Sequence, residues 1–423
     1  MKKYLSFLVT TFVALLFSIL FSGCLKDTCK HTYTYSMFTP VYKTTTEVMA
    51  NIKSNSPLEI SDPGKIVILG NYIFLNEVNK GIHVIDNTNP SSPKNIAFID
   101  LPGNVDLAVK GHTLYADLYT DLVVLDISNP LNVTKTKVVS GVFPQRNYGP
   151  GFYADGDKII TDWVRRDTTI IEDCAHPESV FTTPNAVLYA GSLSSQSGNA
   201  SSAPVGIAGS MARFALVGDY LYTVDDANLN IFDLTNSNDP VFKNQMQVDW
   251  HVETIYPFKN NLFIGSNNGM FIFNITSSPA NPTKVGEFTH VRSCDPVIAD
   301  DSFAFVTLHS GTTCLGFNNE LDVVKLNDLS NAELVKTYSM TSPQGLSKDG
   351  KLLFICDGTD GLKVYDASDV QSLQLVKQFT GIETYDVIAY NKIAIVVAKD
   401  GLYQYDYSDL DNIHSVSKIN ISK

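Results

Sequence analysis

After residue 58 the chain repeats one phrase about every 40 residues: a short apolar strand, a Gly or Asn turn, a second apolar strand, another turn, and a third strand ending in Asp. This constrains the fold more than any other feature, because a unit of this length buries its faces only by stacking against further copies. The clearest copies are AVKGHTLYADLYTDLVVLDISNP (108–130), ALVGDYLYTVDDANLNIFDLTNS (215–237) and IAYNKIAIVVAKDGLYQYDYSD (388–409). The closing acid falls at Asp86, Asp126, Asp233, Asp366 and Asp406, with Asn274 and Lys325 at the same place in two further copies. Successive landmarks lie 40 or 41 residues apart, except for a gap of 51 before Lys325 and one of 107 between Asp126 and Asp233. The wide gap contains FYADGDKIITDWVRRDTTIIEDC (152–174), a degenerate copy whose landmark falls near Glu172. Eight units are therefore expected.

Alternating Val, Ile, Leu and Tyr bounded by Gly, Asn and Asp turns make each unit a four-stranded antiparallel meander. The fourth strand follows the landmark, as in PKNIAFID (93–100), TKTKVVSG (134–141) and LQLVKQFT (373–380). One such sheet cannot bury both faces, and radial stacking leaves only short, protected edges. The expected fold class is all-β, a β-propeller of about eight four-stranded antiparallel blades, with seven blades as the alternative. A linear β-solenoid is set aside because its repeats are shorter and lack a hairpin at every strand end. The 423 residues then divide into a signal over 1–23, a tether and lead-in over 24–58, and a propeller over 59–422 with an insertion near 174–209.

The landmark acid needs no catalytic role. It stands where the third strand enters a DNTNP, DISNP or DLTNS corner, where a short acceptor side chain bonds backbone N–H groups one or two residues on. Only Trp163 and Trp250 are present, so the periodic tryptophans of quinone-dependent dehydrogenase propellers and of WD40 repeats are missing, as are a kelch double glycine and a sialidase Ser/Asp box.

The strands GIHVID (81–86), LVVLDIS (122–128) and LKVYDAS (362–368) resemble the LVIVD repeat of bacterial propellers, and the resemblance extends over most of residues 59–422. FTPVYKTTTEV (38–48) resembles the lead-in of lipoproteins carrying that repeat. The resemblance implies the propeller and transfers no activity, since the matching positions are strand-core residues.

The N-terminus supplies an address. Lys2 and Lys3 precede an uncharged, largely apolar stretch over 4–24, the pattern of a secretory signal, although its length equally suits a membrane span. Phe21, Ser22, Gly23 and Cys24 resemble the lipobox of bacterial lipoproteins, with Phe21 in place of the usual Leu. Cleavage there implies a lipidated Cys24 carrying palmitate-type acyl chains and anchoring the protein to a membrane. Lys26 and Asp27 partly resemble the export signal of Bacteroidota lipoproteins, so the expected location is the outer membrane, leaning towards the cell surface.

Charge and cysteine usage narrow the partners. With 31 basic against 44 acidic groups, a net charge of −13 and no Lys/Arg run beyond a pair, a nucleic-acid partner is not expected. Six cysteines are too few for a disulfide scaffold, and no CxxC pair or His/Cys cluster suggests zinc. Cys294 and Cys314 fall at the same end of one unit and form a candidate disulfide; Cys29 and Cys174 form a second pair whose connectivity stays open, and Cys356 in LLFICD reads as a buried small hydrophobe.

Departures from the repeat are where binding residues tend to lie. The larger is the low-complexity insertion, including SLSSQSGNASSAPVG (192–206), read either as a tolerated surface loop or as a binding loop; the smaller is HSGTTCLGFNNE (309–320). Counting back from each inner turn places Lys65, Asp106, Gly151, Arg213, Thr254, Asp295, Gly345 and Asp386 at the channel mouth. Of these, Lys65, Asp106, Arg213, Asp295 and Asp386 form a candidate polar site for a cation, water or a polar ligand, against the simpler reading of hydrated charges. The acids of ADGDK (154–158) and DGTDG (357–361) lack a full Ca²⁺ ladder and read as turns. There is no HExxH, GxSxG, Walker loop or dinucleotide fingerprint, so no cofactor, metal or catalytic residue is assigned. The leading expectation is a non-enzymatic envelope lipoprotein whose propeller serves as a binding or scaffold module for a protein or glycan at its rim, or as a subunit of an outer-membrane complex. The alternative is a hydrolase or lyase using the channel mouth.

Overall fold

Each repeat begins as a hairpin closed by two residues, and the left-handed backbone that such a turn requires is supplied by glycine in several units, as at Gly70 (φ +58°) between strands Pro63–Leu69 and Tyr72–Glu77. The computed structural model describes residues 30–144, 158–173, 203–289, 296–310 and 318–422. Among these, residues 30–42 and 160–173 belong to one unit, and residues 43–144, 158–159, 203–289, 296–310 and 318–422 to another.

The larger unit is a β-propeller. Among the described residues it contains seven four-stranded antiparallel meanders, whose innermost strands are Pro63–Leu69, Leu107–Lys110, Phe214–Val217, Val252–Phe258, Val297–Ala299, Leu346–Asp349 and Thr384–Tyr390. We number the blades 1 to 7 in that order. The pairing between third and fourth strands slips by one residue in every blade, for example between Val84 and Ile85 and between Gln404 and Tyr405. A bulge at this position adds twist, which a radially stacked sheet needs.

The expectation of eight blades is corrected to the alternative of seven. The degenerate copy near Glu172 contributes one long strand, Lys158–Asp173, which pairs with Lys30–Thr44 in a separate two-stranded sheet. Its polar alternation explains why: Asp162, Arg165, Asp167 and Thr168 are exposed, leaving no apolar face to pack between blades. Cross-strand contacts such as Ser36 Oγ to Asp167 (2.7 Å) hold this ribbon instead.

The third-strand acids close their corners as expected. Asp86, Asp126, Asp233, Asp366 and Asp406 each accept the backbone N–H two residues on, at 2.7–2.9 Å, and Asn274 does the same at 3.0 Å. Hydrogen bonds from the following Ser or Thr hold these carboxyls below their usual range, with Asp233 and Asp366 brought down to about 2, the latter led by a hydrogen bond from Lys351.

The core lies between blades. Tyr115 of blade 2 and Tyr222 of blade 3 are fully buried, and each phenol donates to a corner carbonyl of the next blade, Ser237 and Pro279, at 2.8 Å. The aromatic content thus fills the wedges between sheets while its polar ends find partners. Cys356 is free and buried, and DGTDG (357–361) is a hairpin turn. Cys24, Cys29, Cys174, Cys294, Cys314, Gly151 and Asp295 lie outside the described residues.

Candidate functional site

The innermost strands bring Lys65, Asp106 and Asp386 together at the start of blades 1, 2 and 7. In blades 1, 4 and 7 the inner strand carries a bulge between Pro63 and Ile66, Val252 and Thr254, and Thr384 and Asp386, which sets the aim of the residue at the axis. Lys65 Nζ lies 3.6 Å from Asp106 Oδ2, and both residues are buried, as are Thr254 and Asp386. Arg213 takes part through its backbone, its N–H donating to Asp106 Oδ2 at 2.5 Å.

The chain itself occupies this axis. Ile207–Ala208 pairs with Ile68 and Val67 on the inner edge of blade 1, while Gly206 N donates to Val109 O of blade 2 at 2.6 Å. Continuing, Ser210 Oγ accepts from Leu346 N of blade 6 at 2.7 Å, Met211 O accepts from Lys65 Nζ at 2.8 Å, and Ala212 O accepts from Ile255 N of blade 4 at 2.7 Å. One stretch, residues 204–213, thereby ties together the inner strands of five blades, counting Gly209, whose Cα lies so close to Asp386 of blade 7 that a Cβ would fall 2.3 Å from its carboxylate oxygen. The last part of the insertion is thus an axial plug rather than a surface loop. Its small residues are what permit the close approach, a signal visible in GIAGS but easily read as low complexity.

The electrostatics follow from burial. Lys65 is brought down to about 8 by loss of water, against the pull of Asp106, while Asp106 is raised by burial against the pull of Lys65. Asp386 is pushed up to about 8, again by burial, with the Val387 amide and Lys65 opposing. Beyond the adjacent Val387 amide its two carboxylate oxygens have no hydrogen-bond partner among the described residues, and Gly345, where a Cβ would lie 2.0 Å from Oδ1, completes the narrow slot that holds it. Burial thus favours the protonated carboxyl at Asp386, next to the Lys65–Asp106 pair. Among the described residues no group of three or more His, Cys, Asp or Glu side chains is placed to hold a metal ion.

Acids at the ends of the second strands of blades 1, 2 and 6 form a further polar set, of which the sequence marks only Asp357, as part of a turn. Glu77 accepts from Asp62 N at 2.9 Å, Ser61 N at 3.1 Å and His83 Nε2 at 3.2 Å, and also from Ser61 Oγ and Lys80. Although burial opposes it, these donors hold Glu77 well below the usual carboxylate range. Asp117 accepts from Val105 N and Asp106 N at 2.8 Å, and Asp357 from Thr341 N, Ser342 N and Lys363 Nζ. All three pin the connection that enters the inner strand of their own blade. The hint is an acid at the end of the second strand in three repeats, in FLNE, YAD and FICD.

With this geometry in view, comparison with known proteins adds a repeat type. A family model, the LVIVD repeat, matches residues 62–98, 103–136 and 208–248. The chain carries LVIVD repeats. Each match corresponds to one blade, running from its inner strand to its fourth, and the three LVIVD matches contain Lys65, Asp106 and Arg213 near their starts. No curated protein matches the chain. Among solved structures, a protein from Lactobacillus plantarum is similar at 12% identity, covering 85% of this chain and 97% of its own, with a TM-score of 0.52. The computationally designed protein Ika8 is similar at 10% identity, covering 87% and 92%, with a TM-score of 0.51. At these identities the likeness is one of fold.

Proposed function

We propose that the protein is a non-enzymatic cell-envelope lipoprotein, anchored in the outer membrane through Cys24 and facing outward, whose propeller is a binding or scaffold module. The observation that carries this reading is the axial plug: Lys65, Asp106 and Asp386 are each at most 3% exposed and closed over by the chain's own residues 204–213. A hydrolase or lyase at the channel mouth would need substrate to reach those groups.

The binding face in this reading carries the blade-to-blade connections and the turns between second and third strands. Connections there vary in length, from residues 248–251 between blades 3 and 4 to residues 101–106 between blades 1 and 2 and 340–345 between blades 5 and 6. The opposite face is uniform, with short turns between first and second strands and acid-closed corners between third and fourth. Variable loops on a rigid frame suit recognition.

The test is Cys24→Ala in the full-length chain, with proteinase treatment of intact cells carrying the wild type. The substituted protein should leave the membrane fraction while staying folded, and the wild type should be digested from outside. Membrane retention of Cys24→Ala, or survival of the wild type under digestion, would overturn the tethered surface reading.

A further inference from the structure

Trp250 is one of two tryptophans in 423 residues, and it stands 58% exposed on the short connection between blades 3 and 4. The connection that displays it is fixed on every side. Val248 N donates to Ala227 O at 2.9 Å, Val252 N to Asp226 O at 3.0 Å, and Asn267 N to His251 O at 3.2 Å. Asp249 Oδ2 accepts from Ser266 Oγ and Asn268 Nδ2, both at 3.3 Å, and His251, in a left-handed backbone (φ +55°), contacts Asp226 Oδ1 through Nδ1 at 3.2 Å. A non-glycine residue in that conformation costs free energy that the surrounding contacts must offset. The outcome is an indole held towards solvent, with no ring stacked on it among the described residues.

The groups beside it are hydrogen-bonding ones: Asp226, Asp249, His251 and Asn268. Asn267, on the same turn as Asn268, is 7% exposed, and its side-chain oxygen has no partner among the described residues. An exposed indole on a fixed stretch of backbone, with carboxylates and amides on the residues bonded to that stretch, suits a pyranose, whose C–H face packs on the indole while neighbouring hydroxyls bond the acids and amides. The two acids of the cluster and the net charge of −13 select against anionic sugars.

We propose that this rim, between blades 3 and 4, is a subsite for a neutral glycan, with Trp250 as stacking platform and Asp226, Asp249 and Asn268 as hydroxyl partners. The inference rests on the reading of the propeller as a binding module and names its ligand class.

Trp163→Phe in the full-length chain leaves Trp250 as the sole indole. Its fluorescence is titrated with a soluble β-glucan, an α-mannan and a galactan, beside polygalacturonate and an oligolysine peptide. Retardation in gels containing each polysaccharide is measured for the same protein with Trp250→Ala or Asn268→Ala, circular dichroism confirming that both fold. A saturable change with at least one neutral polysaccharide is expected, with retardation lost in Trp250→Ala and affinity at least tenfold lower in Asn268→Ala. Response only to polygalacturonate or to the peptide, no response to any neutral glycan, or retardation unaffected by Trp250→Ala would overturn the subsite. A protein that fails these tests yet leaves the membrane fraction with Cys24→Ala loses the subsite and keeps the tethered-module reading.

Discussion

The side-chain amides of Asn87 and Gln404 hydrogen-bond to each other in both directions, at 3.0 and 2.7 Å, although 317 residues separate them in sequence. Asn87 belongs to a corner of blade 1 and Gln404 to the third strand of blade 7, so the pair joins first blade to last. Both blades are built from consecutive strands, and no strand is exchanged between them. Closure therefore relies on this pair, on Ser422 N to Ile60 O at 2.8 Å, and on shared apolar packing that includes Ile85, Ile395 and Leu402. Gln404→Ala leaves the Asn87 amide without its partner and should cost roughly 1–3 kcal/mol. Chemical denaturation of the single and double variants checks it: the two losses should fail to add, with a coupling near 1 kcal/mol.

Asp386 should make the fold less stable as pH rises. Its pKa is near 3.9 in the unfolded chain and about 8 in the propeller, so between those values the folded state holds a proton that the unfolded state has released. The stabilising contribution is complete below pH 4 and lost progressively up to pH 8. Thermal melting from pH 5 to 9 should show Asp386→Asn with a flatter profile than the wild type and a higher Tm at the alkaline end.

Glu77 should act in the opposite direction. Its folded pKa is depressed by hydrogen bonds that outweigh burial, so its contribution is present above the unfolded value near 4.3 and is lost as acid protonates the folded carboxylate. Glu77→Ala strips Ser61, Asp62 and His83 of a common acceptor and should cost about 3 kcal/mol at pH 7. The deficit relative to wild type should shrink below pH 4.

The slot around Asp386 gives a size-matched pair. Gly209→Ala places a methyl group against the carboxylate and should destabilise by about 1–3 kcal/mol. The three atoms nearest to that methyl all belong to the Asp386 side chain, so Gly209→Ala in an Asp386→Ala background should cost much less. Urea unfolding of the four proteins reads this out directly.

The blades were legible because one pattern recurs at the strand level. Landmark acids such as Asp126 and Asp233 mark a corner by local bonding alone, so their spacing reports blade length without tertiary knowledge. Spacing could not report whether residues 152–174 fold as a blade. That depends on apolar facing, and Asp162, Arg165 and Asp167 break it. Counting from the inner turns groups Lys65, Asp106 and Asp386 because position within a repeat becomes position around the axis, and Lys65 Nζ stands 3.6 Å from Asp106 Oδ2 with both charges acting on the buried Asp386. The plug was hidden because residues 204–213 are held by contacts with five blades far apart in sequence, which small residues permit but do not announce.

The central claim, recognition on the face of the blade-to-blade connections, is tested most directly by lysine footprinting. Lys80 and Lys399 stand at turns between second and third strands, on that face; Lys259, Lys351 and Lys392 stand at turns between first and second strands, on the opposite one. All five are more than half exposed. Acetylation is measured residue by residue on intact cells and on the purified full-length protein. The account expects Lys80 and Lys399 to be protected on cells, with the other three modified equally in both states. Protection of Lys259, Lys351 and Lys392 instead, or no difference at any of the five, would contradict it.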